Sequence, residues 1–293
     1  MEKIRQALDR ARLERAALQH HAVADGDTAR RAPRDGSRTP EAIAPQIGPV
    51  GPPSAMASEA QAMAVREFRP DRAVLERNRL VAANGSDLAA QPFRMLRTQV
   101  LQRMREHRWQ TLGVVSARSR DGKTTLASNL SIAIAADPRH SALLVDLDLR
   151  RPGIAPAFGL SPEVGIEDVL LGDARVDSGL IGLSGFPGLR ILPAKSAVVG
   201  SSSLVAGPAC QSLIAELKSG DANRIVVVDM PPLLEADEAL SLARVLDCLL
   251  FVVAEGRTPR EDVARGLGLV RQTPVVGTVL NRSVEAVRTE AYG

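Results

Sequence analysis

The sequence predicts an α/β fold in which helices cover both faces of a mostly parallel central sheet. Six short runs rich in Val, Leu, Ile and Ala alternate with helical patterns after residue 110. Such continuous apolar strands are typical of parallel sheets that are buried on both faces. Aromatic residues make up only 2% of the chain although 45% of it is hydrophobic, so aliphatic side chains must fill the core. The prediction is therefore a three-layer αβα sandwich.

The predicted elements follow one another in regular alternation. Unbroken aliphatic runs place the strands at Leu112–Ser116, Ala142–Asp146, Leu189–Leu192, Ile225–Asp229, Cys248–Val253 and Val275–Leu280. Helices are predicted where apolar residues recur every three or four positions. They are placed at Pro92–Arg105, Lys123–Ala136, Ile166–Leu171, Ala209–Lys218, Ala236–Val245 and Arg260–Gln272.

The N-terminal part of the chain differs in composition from the rest. Residues 1–20 are predicted to form an amphipathic helix, because Ile4, Leu8, Ala11 and Leu18 fall on one stripe. Residues 21–80 are predicted to be a disordered linker, since a segment rich in Pro, Gly, Asp, Ser and Arg buries too little apolar area to offset its ordering entropy. The globular domain is placed at 85–285, and a short tail at 286–293.

Charge and composition exclude several functions. A net charge of +3 is too small to indicate a nucleic-acid partner, and aromatic residues are not interleaved with basic ones for base stacking. Cys210 and Cys248 have no metal-ligand spacing, which favours a reducing cytoplasm. No apolar run is long enough to span a bilayer. Any association with a membrane is therefore expected to depend on a partner.

A phosphate-binding loop lies between the first predicted strand and the helix that follows it. Ala117, four further residues and Gly122-Lys123-Thr124 match the relaxed Walker A spacing, with Ala where Gly is commoner. In such a P-loop, backbone N–H groups surround a phosphate, the lysine reaches the β- and γ-phosphates and the hydroxyl binds Mg²⁺. The sequence therefore predicts a P-loop NTPase, with the nucleotide held by Ala117, Arg118, Ser119, Arg120, Asp121, Gly122, Lys123, Thr124 and Thr125.

Carboxylates follow two of the predicted strands. Asp146 and Asp148 come at the end of the second strand, and Asp229 at the end of the fourth. Because ligands of open α/β sheets bind beyond the carboxyl ends of the strands, these side chains are expected beside the P-loop. Asp229 is expected to hold Mg²⁺ through water, and another carboxylate to accept a proton from an attacking hydroxyl or to orient it. Arg150 or Arg151 is expected either to stabilise charge on the transferred phosphoryl group or simply to pair with Asp148.

The combination of these motifs resembles the bacterial tyrosine kinases (BY-kinases) of capsule and exopolysaccharide operons. These kinases belong to a larger group of P-loop proteins that includes the Min/Par partition ATPases. The resemblance covers Gln91 to Arg282 and rests on Gly122-Lys123-Thr124, on the run from Asp146 to Pro152, and on Asp229-Met230-Pro231-Pro232 with Asp237. The run Asp-Leu-Asp-Leu-Arg-Arg-Pro discriminates best, because partition ATPases lack its basic tail.

The resemblance implies an ATP- and Mg²⁺-dependent kinase that phosphorylates its own C-terminal tail between neighbours in a homo-oligomer. It also implies that a membrane-embedded polysaccharide copolymerase is the partner, with this chain as the separate cytoplasmic subunit, held peripherally at the inner membrane. Asn281 would contact the nucleotide base. Taken with the motifs, this assigns catalysis to Lys123, Asp146, Asp148 and Arg150, and the metal to Thr124, Asp146 and Asp229.

Two departures from the family's pattern concern assembly and the phosphoacceptor. The chain has a single tyrosine, Tyr292, which is therefore the predicted phosphoacceptor. The family's Glu-x-x-Arg-x-x-Arg motif, used in contacts within a ring, appears as Gln91, Arg94 and Arg97. The single tyrosine favours an alternative, an ATP-switched regulatory scaffold of the same export machinery that does not phosphorylate tyrosine. A Min/Par-like positioning ATPase is the other alternative.

A third departure lies in the P-loop itself. Arg118 and Arg120 stand where the family commonly has small residues. Arg120 occupies a position that often adopts a positive φ, which costs free energy for a residue other than glycine. Arg118 falls where partition ATPases have a second lysine that reaches the neighbour's phosphates across a dimer. The added charges would either strengthen phosphate binding or hinder closure of the loop.

Overall fold

Eight strands form one central sheet in the computed structural model, which describes residues 66–85, 88–219 and 221–283. Across the sheet their order is β1-β4-β5-β3-β6-β2-β7-β8, and neighbouring strands are parallel except β4 and β5. The predicted α/β class with a mostly parallel sheet is confirmed. The strands are β1 (Arg66–Phe68), β2 (Thr111–Ser116), β3 (Ser141–Asp146), β4 (Ile181–Leu183), β5 (Phe186–Leu192), β6 (Arg224–Asp229), β7 (Cys248–Ala254) and β8 (Val275–Asn281).

Helices cover both faces of this sheet. In the described residues they are α1 (Arg72–Arg77), α2 (Gln91–His107), α3 (Lys123–Ala135), α4 (Ile154–Phe158), α5 (Ile166–Leu171), α6 (Val176–Gly179), α7 (Ser201–Ala206), α8 (Pro208–Lys218), α9 (Glu238–Val245) and α10 (Arg260–Leu269). Two short 3₁₀ turns, Val81–Ala83 and Leu88–Ala90, precede α2.

The side chains of each central strand alternate between two hydrophobic layers. In β2, Leu112 and Val114 pack with helices α2 and α3, whereas Val115 faces the layer formed with α8 and α9. The strand is buried along its whole length. This explains why the sequence shows unbroken aliphatic runs rather than alternation with polar residues.

The prediction that residues 21–80 are a linker is wrong for residues 66–80. Strand β1 pairs with β4, and α1 follows it at once. Leu75 and Leu80 are buried in the same hydrophobic layer as α2 and α3. Few residues carry this docking, and their partners are distant in sequence, so the local composition did not reveal it. The domain therefore begins earlier than the predicted residue 85.

Four short elements between β3 and α8 were also not predicted, namely α4, α6, β4 and α7. Each spans three to six residues, too few to show a periodic pattern. The longer elements were predicted to within a few residues. The largest differences are at β5, which begins at Phe186 rather than Leu189, and at α10, which ends at Leu269 rather than Gln272.

Three predictions fall on residues outside the described ranges: the helix at 1–20, the linker as far as residue 65, and the tail at 286–293 with Tyr292. Within the described ranges, no helix combines the length and the apolar character needed to cross a membrane.

Candidate active site

The P-loop and the predicted carboxylates meet at the carboxyl ends of the central strands. The P-loop follows β2, Asp146 ends β3 and Asp229 ends β6. Asp146 and Asp229 are paired in register on these adjacent strands. The topology therefore brings together the groups that the sequence placed after separate strands.

Gly122 makes the turn from the P-loop into α3. Its φ of 97° lies in the left-handed region that favours glycine. A Cβ at this position would lie 2.0 Å from Nδ2 of Asn281, so any side chain would collide with that amide. Lys123 is the first residue of α3 and is buried, at the helix end where the backbone dipole favours negative charge.

The backbone of the P-loop is held by groups from other parts of the chain. The Arg118 guanidinium forms an ion pair with Asp262 of α10. The Ser119 N–H donates to Oε1 of Glu235 at 3.0 Å. Asn281 Nδ2 donates to the Asp121 carbonyl at 2.8 Å. These contacts preorganise the loop before any phosphate is bound.

Arg120 adopts the conformation expected from its position in the loop. Its φ is 65°, in the left-handed region. The Arg282 guanidinium donates to the Arg120 carbonyl at 3.2 Å, which helps to hold this backbone in place. The unfavourable conformation of a non-glycine residue is thus supported from outside the loop.

The Thr124 hydroxyl donates to Oδ2 of Asp229 at 2.5 Å. The other carboxylate oxygen of Asp229, Oδ1, is buried and has no hydrogen-bond partner among the described residues. A buried acceptor without a partner carries a large desolvation cost. Burial raises the pKa of Asp229 to about 7, although the Lys123 ammonium acts against the rise. This orphan oxygen beside the Thr124 hydroxyl fits the ligand set of a P-loop Mg²⁺.

Asp146 is fully buried, and backbone groups occupy its carboxylate. Its Oδ2 accepts from the Gly153 and Ile154 N–H groups, each at 3.0 Å, and its Oδ1 accepts from the Asp148 N–H at 3.3 Å. Burial, followed by the neighbouring Asp229 carboxylate, raises the pKa of Asp146 well above its ordinary value. Asp146 therefore orders the turn after β3, at the strand position paired with Asp229.

Asp148 lines a small cavity of about 120 Å³, together with Arg150, Arg151 and Glu235. Burial raises the pKa of Asp148, and the Lys123 ammonium partly opposes this. Of the two carboxylates after β3, Asp148 is thus the one that faces open space beside the P-loop lysine. It has the placement that a proton acceptor requires.

Comparisons with known proteins agree with this geometry. No family model matches the chain. Over 70% of its length, the chain is 30% identical to the Succinoglycan biosynthesis transport protein ExoP of Rhizobium meliloti (strain 1021), of which the match covers only 26%. It is 26% identical to the Tyrosine-protein kinase YwqD of Bacillus subtilis (strain 168), over 75% of the chain and 91% of that protein.

Among solved structures, the kinase domain of the Escherichia coli tyrosine kinase ETK is 25% identical to the chain, with a TM-score of 0.64. That match covers 72% of this chain and 82% of the kinase domain. The chain belongs to the bacterial tyrosine kinase family. The predicted family, its P-loop fold and the enzyme class are thereby confirmed.

Arg150 pairs with carboxylates other than Asp148, and its predicted action on the phosphoryl group stays a prediction. Its Nε lies 2.7 Å from Oε1 of Glu238, and its Nη2 lies 3.0 Å from Oδ1 of Asp237. The same nitrogen donates to the Ser202 hydroxyl at 3.0 Å. Arg150 therefore ties the turn after β3 to the start of α9, because two adjacent carboxylates there outcompete Asp148.

Arg150 and Arg151 both line the small cavity, but Arg150 is held by the carboxylates of Asp237 and Glu238. Arg151 is not held in this way. It lines the cavity with Asp148, and within the described ranges its guanidinium makes no hydrogen bond or ion pair. Its charge lowers the pKa of Asp148, against the larger effect of burial. Stabilisation of the phosphoryl group by Arg151 stays a prediction.

Glu235 and Asp262 are the site residues that the sequence did not reveal. Glu235 comes six residues after Asp229, and Asp262 lies in the first turn of α10, but neither belongs to a recognised spacing. The hydrogen bond from Arg118 lowers the pKa of Asp262. Because Arg118 is paired within its own chain, the structure gives no support to a role like that of the partition ATPases' second lysine.

Asn281 ends β8 and contacts the P-loop rather than open space. Besides its bond to the Asp121 carbonyl, its Oδ1 accepts from the Arg282 N–H at 2.9 Å. Contact with a nucleotide base stays a prediction. The arginines of the ring motif are also engaged within the chain, since Arg94 donates to the Gly85 carbonyl and Arg97 to the Ala133 carbonyl. Assembly through them stays a prediction as well.

Proposed function

We propose that this kinase transfers the γ-phosphoryl group of ATP to Tyr292 of a neighbouring copy, in a reaction that requires Mg²⁺. The observation that carries the proposal is the buried Oδ1 of Asp229. It has no hydrogen-bond partner among the described residues, and it belongs to the carboxylate that accepts from the Thr124 hydroxyl. An oxygen of this kind is available to a cation or to a water molecule that a cation holds. Lys123, at the start of α3, supplies the positive charge for the phosphates.

Thr124 and Asp229, with Asp146 behind them, would hold Mg²⁺. When bound, Mg²⁺ neutralises charge that develops on the phosphates during transfer. Thr124 keeps its hydroxyl oriented toward the metal by donating its proton to Asp229. Asp146 acts indirectly, because its carboxylate fixes the backbone of Gly153 and Ile154.

Asp148 would accept the proton of the tyrosine hydroxyl. It borders the cavity beside the P-loop, and burial moves its pKa upward, toward the range in which a carboxylate is an effective general base. Arg151 lines the same cavity and would stabilise negative charge on the phosphoryl group. Both side chains are fixed to the turn after β3.

The acceptor and the partners rest on the sequence and on the relatives. Tyr292 is the only tyrosine of the chain, so self-phosphorylation on tyrosine has no other target. One relative is named as a transport protein of succinoglycan biosynthesis. We propose that this kinase likewise regulates exopolysaccharide or capsule polymerisation and export, as a homo-oligomer bound at the inner membrane to a membrane-embedded copolymerase.

Intact-mass measurement after incubation with ATP and Mg²⁺ tests the transfer. We expect the wild-type chain to gain the mass of one phosphate, and Lys123→Ala and Tyr292→Phe to gain none. A gain that persists in Tyr292→Phe would overturn the assignment of the acceptor. The absence of any gain in the wild type, with ATP binding intact, would overturn the kinase reaction itself.

An ATP-switched scaffold is the second candidate, because the chain contains one tyrosine where self-phosphorylation in the family uses a cluster. A scaffold would bind its membrane partner only with nucleotide, and Tyr292→Phe would leave that binding unchanged. The kinase proposal requires instead that phosphorylation alter the binding. The two are separated by measuring partner binding for both chains with and without ATP.

A further inference from the structure

A second cavity, of about 560 Å³, lies at the amino ends of the central strands. It is far from the P-loop, because the six residues of β2 separate the two ends by about 20 Å. A volume of this size suits a small-molecule ligand. We call it the amino-edge cavity; it is lined by Leu101, Met104, Arg105, Arg108, Trp109, Gln110, His140, Lys218, Ala222, Asn223 and Ile225.

The lining of the amino-edge cavity contains positive groups and no carboxylate. Lys218 already pairs with Asp247 at 2.7 Å. The guanidinium groups of Arg105 and Arg108, in contrast, make no hydrogen bond or ion pair within the described ranges, and each offers five N–H donors. Two adjacent unpaired arginines above a cavity provide the fork-shaped donors that bind phosphate oxygens.

Two further side chains of the cavity have unused polar atoms. The Trp109 indole stacks on His107, with ring centroids 4.3 Å apart, and in the described part of the chain its N–H has no acceptor. His140 Nδ1 is buried and lacks a hydrogen-bond partner there too, since Asp137 Oδ2 is 3.6 Å away. With Leu101 and Met104 forming the apolar wall, the cavity combines N–H donors with a hydrophobic surface.

The backbone at Arg108 is a second indication that this arginine is placed for a reason. Arg108 ends helix α2 with a φ of 57°, in the left-handed conformation that glycine or asparagine normally supplies at this position. This conformation is unfavourable for a residue with a Cβ. The helix dipole does not require a positive charge at position 108, because Arg105 and His107 already lie in the last turn.

We propose that the amino-edge cavity binds the phosphate group of a small phosphorylated molecule. Arg105 and Arg108 contact the phosphate, and the rest of the molecule lies against Trp109 and the apolar wall. Such a site is separate from the P-loop and is not used in tyrosine phosphorylation. The proposal therefore stands or falls independently of the kinase reaction.

Trp109 is the only tryptophan of the chain, so its fluorescence reports on the cavity alone. The test titrates full-length protein carrying Lys123→Ala, which removes phosphate binding at the P-loop. The probes are uridine diphosphate and glucose 1-phosphate, with unphosphorylated uridine as the control. We expect a saturable change with at least one phosphorylated probe and at least tenfold weaker binding of uridine. A response to only one of the two probes shows whether the cavity prefers a nucleotide or a sugar attached to the phosphate.

The double variant Arg105→Ala/Arg108→Asn is expected to weaken binding at least tenfold, because asparagine keeps the left-handed backbone without the charge. Arg72→Ala/Arg175→Ala removes two exposed arginines that do not line the cavity and should change the affinity less than twofold. The single variant Arg105→Gln repeats the test with a smaller change. To check the fold, the cavity variants are also made with Lys123 intact, and their ATP binding is measured. The proposal is overturned if both phosphorylated probes leave the fluorescence unchanged, if uridine binds equally well, or if the double variant binds as the parent does.

Discussion

The two ends of the central strands carry opposite chemistry. At the carboxyl ends, buried carboxylates meet a buried lysine, and the P-loop is held by Asp262, Glu235 and Asn281. At the amino ends, a larger cavity is bordered by two exposed arginines, Arg105 and Arg108, whose guanidinium groups have no partner among the described residues. The carboxyl end is therefore ordered in advance for a ligand of known geometry. At the amino end a ligand would itself supply the charge that the arginines lack. The difference shows that one rigid sheet supports a preorganised site and an open one.

Of the substitutions that test this difference between the two ends, Lys123→Ala is expected to have the largest effect on phosphate transfer. The substitution removes the buried ammonium at the start of α3 and leaves the carboxylates of the site without their nearest positive charge. Phosphate transfer should fall by roughly 10²–10³-fold, as for the loss of one strong electrostatic contact to a transition state. Rates of mass gain with saturating ATP measure this. Arg105→Ala is the control at the opposite end, and a similar loss there would show that the two ends are coupled.

Asp229→Asn tests the buried carboxylate itself. The pKa of Asp229 is raised to about 7 in the folded chain, against about 3.9 in an unfolded one. The folded state thus holds an extra proton between these values, so the stability from this group is present below about pH 4 and is lost as the pH rises through 7. At pH 8 the variant should be more stable than the wild type by about 2–4 kcal/mol, with little difference at pH 4.

Thermal unfolding of nucleotide-free protein at pH 4 and pH 8 measures this effect. The same scans with ATP and Mg²⁺ should show a rise in Tm for the wild type and none for Asp229→Asn. An equal Tm difference between the two chains at both pH values would contradict the assignment of a proton to this carboxylate. Ser128→Ala, which removes a buried hydroxyl without a hydrogen-bond partner in the described residues, is a control that does not titrate.

Asp262→Ala is expected to have a smaller effect, confined to nucleotide binding. The pair of Arg118 and Asp262 holds the P-loop from outside, and the Arg118 side chain is 52% exposed, so its contribution is modest. The KM for ATP should rise about three- to tenfold, with kcat changed less than twofold, since solvent weakens a partly exposed ion pair. Glu261→Gln alters the exposed neighbour in the same turn and should leave both constants unchanged. An unchanged KM in Asp262→Ala would mean that the ion pair does not position the loop.

The site at the carboxyl ends could be predicted because each of its parts is a short, recognisable stretch of the sequence. The P-loop is one contiguous stretch, and Asp146, Asp148 and Asp229 each follow a strand whose direction fixes where they lie. A parallel sheet then brings them together without further information. The central strands were found for the same reason, since burial on both faces makes them continuously aliphatic.

Contacts between side chains of elements that are distant in the sequence could not be predicted, because they depend on how those elements pack. Arg150 was expected near Asp148, two positions away, but it reaches Glu238 on a different element. Asp262 and Glu235 contact the P-loop only because α10 and the turn after β6 pack there. The amino-edge cavity likewise collects side chains from separate segments, so it leaves no motif in the sequence.

The smallest expected effect is that of Arg105→Ala/Arg108→Asn on ATP binding. Sites that are more than about 10 Å apart and share no partner usually contribute additively, within about 0.5 kcal/mol. The two ends of β2 are about 20 Å apart, and the arginines lie at the end opposite the P-loop. The Kd for ATP should therefore change less than about twofold, which calorimetric titration resolves. A larger change would mean that the backbone conformation at Arg108 affects the P-loop through the central strands. Nucleotide binding at the carboxyl ends would then depend on the amino-edge cavity.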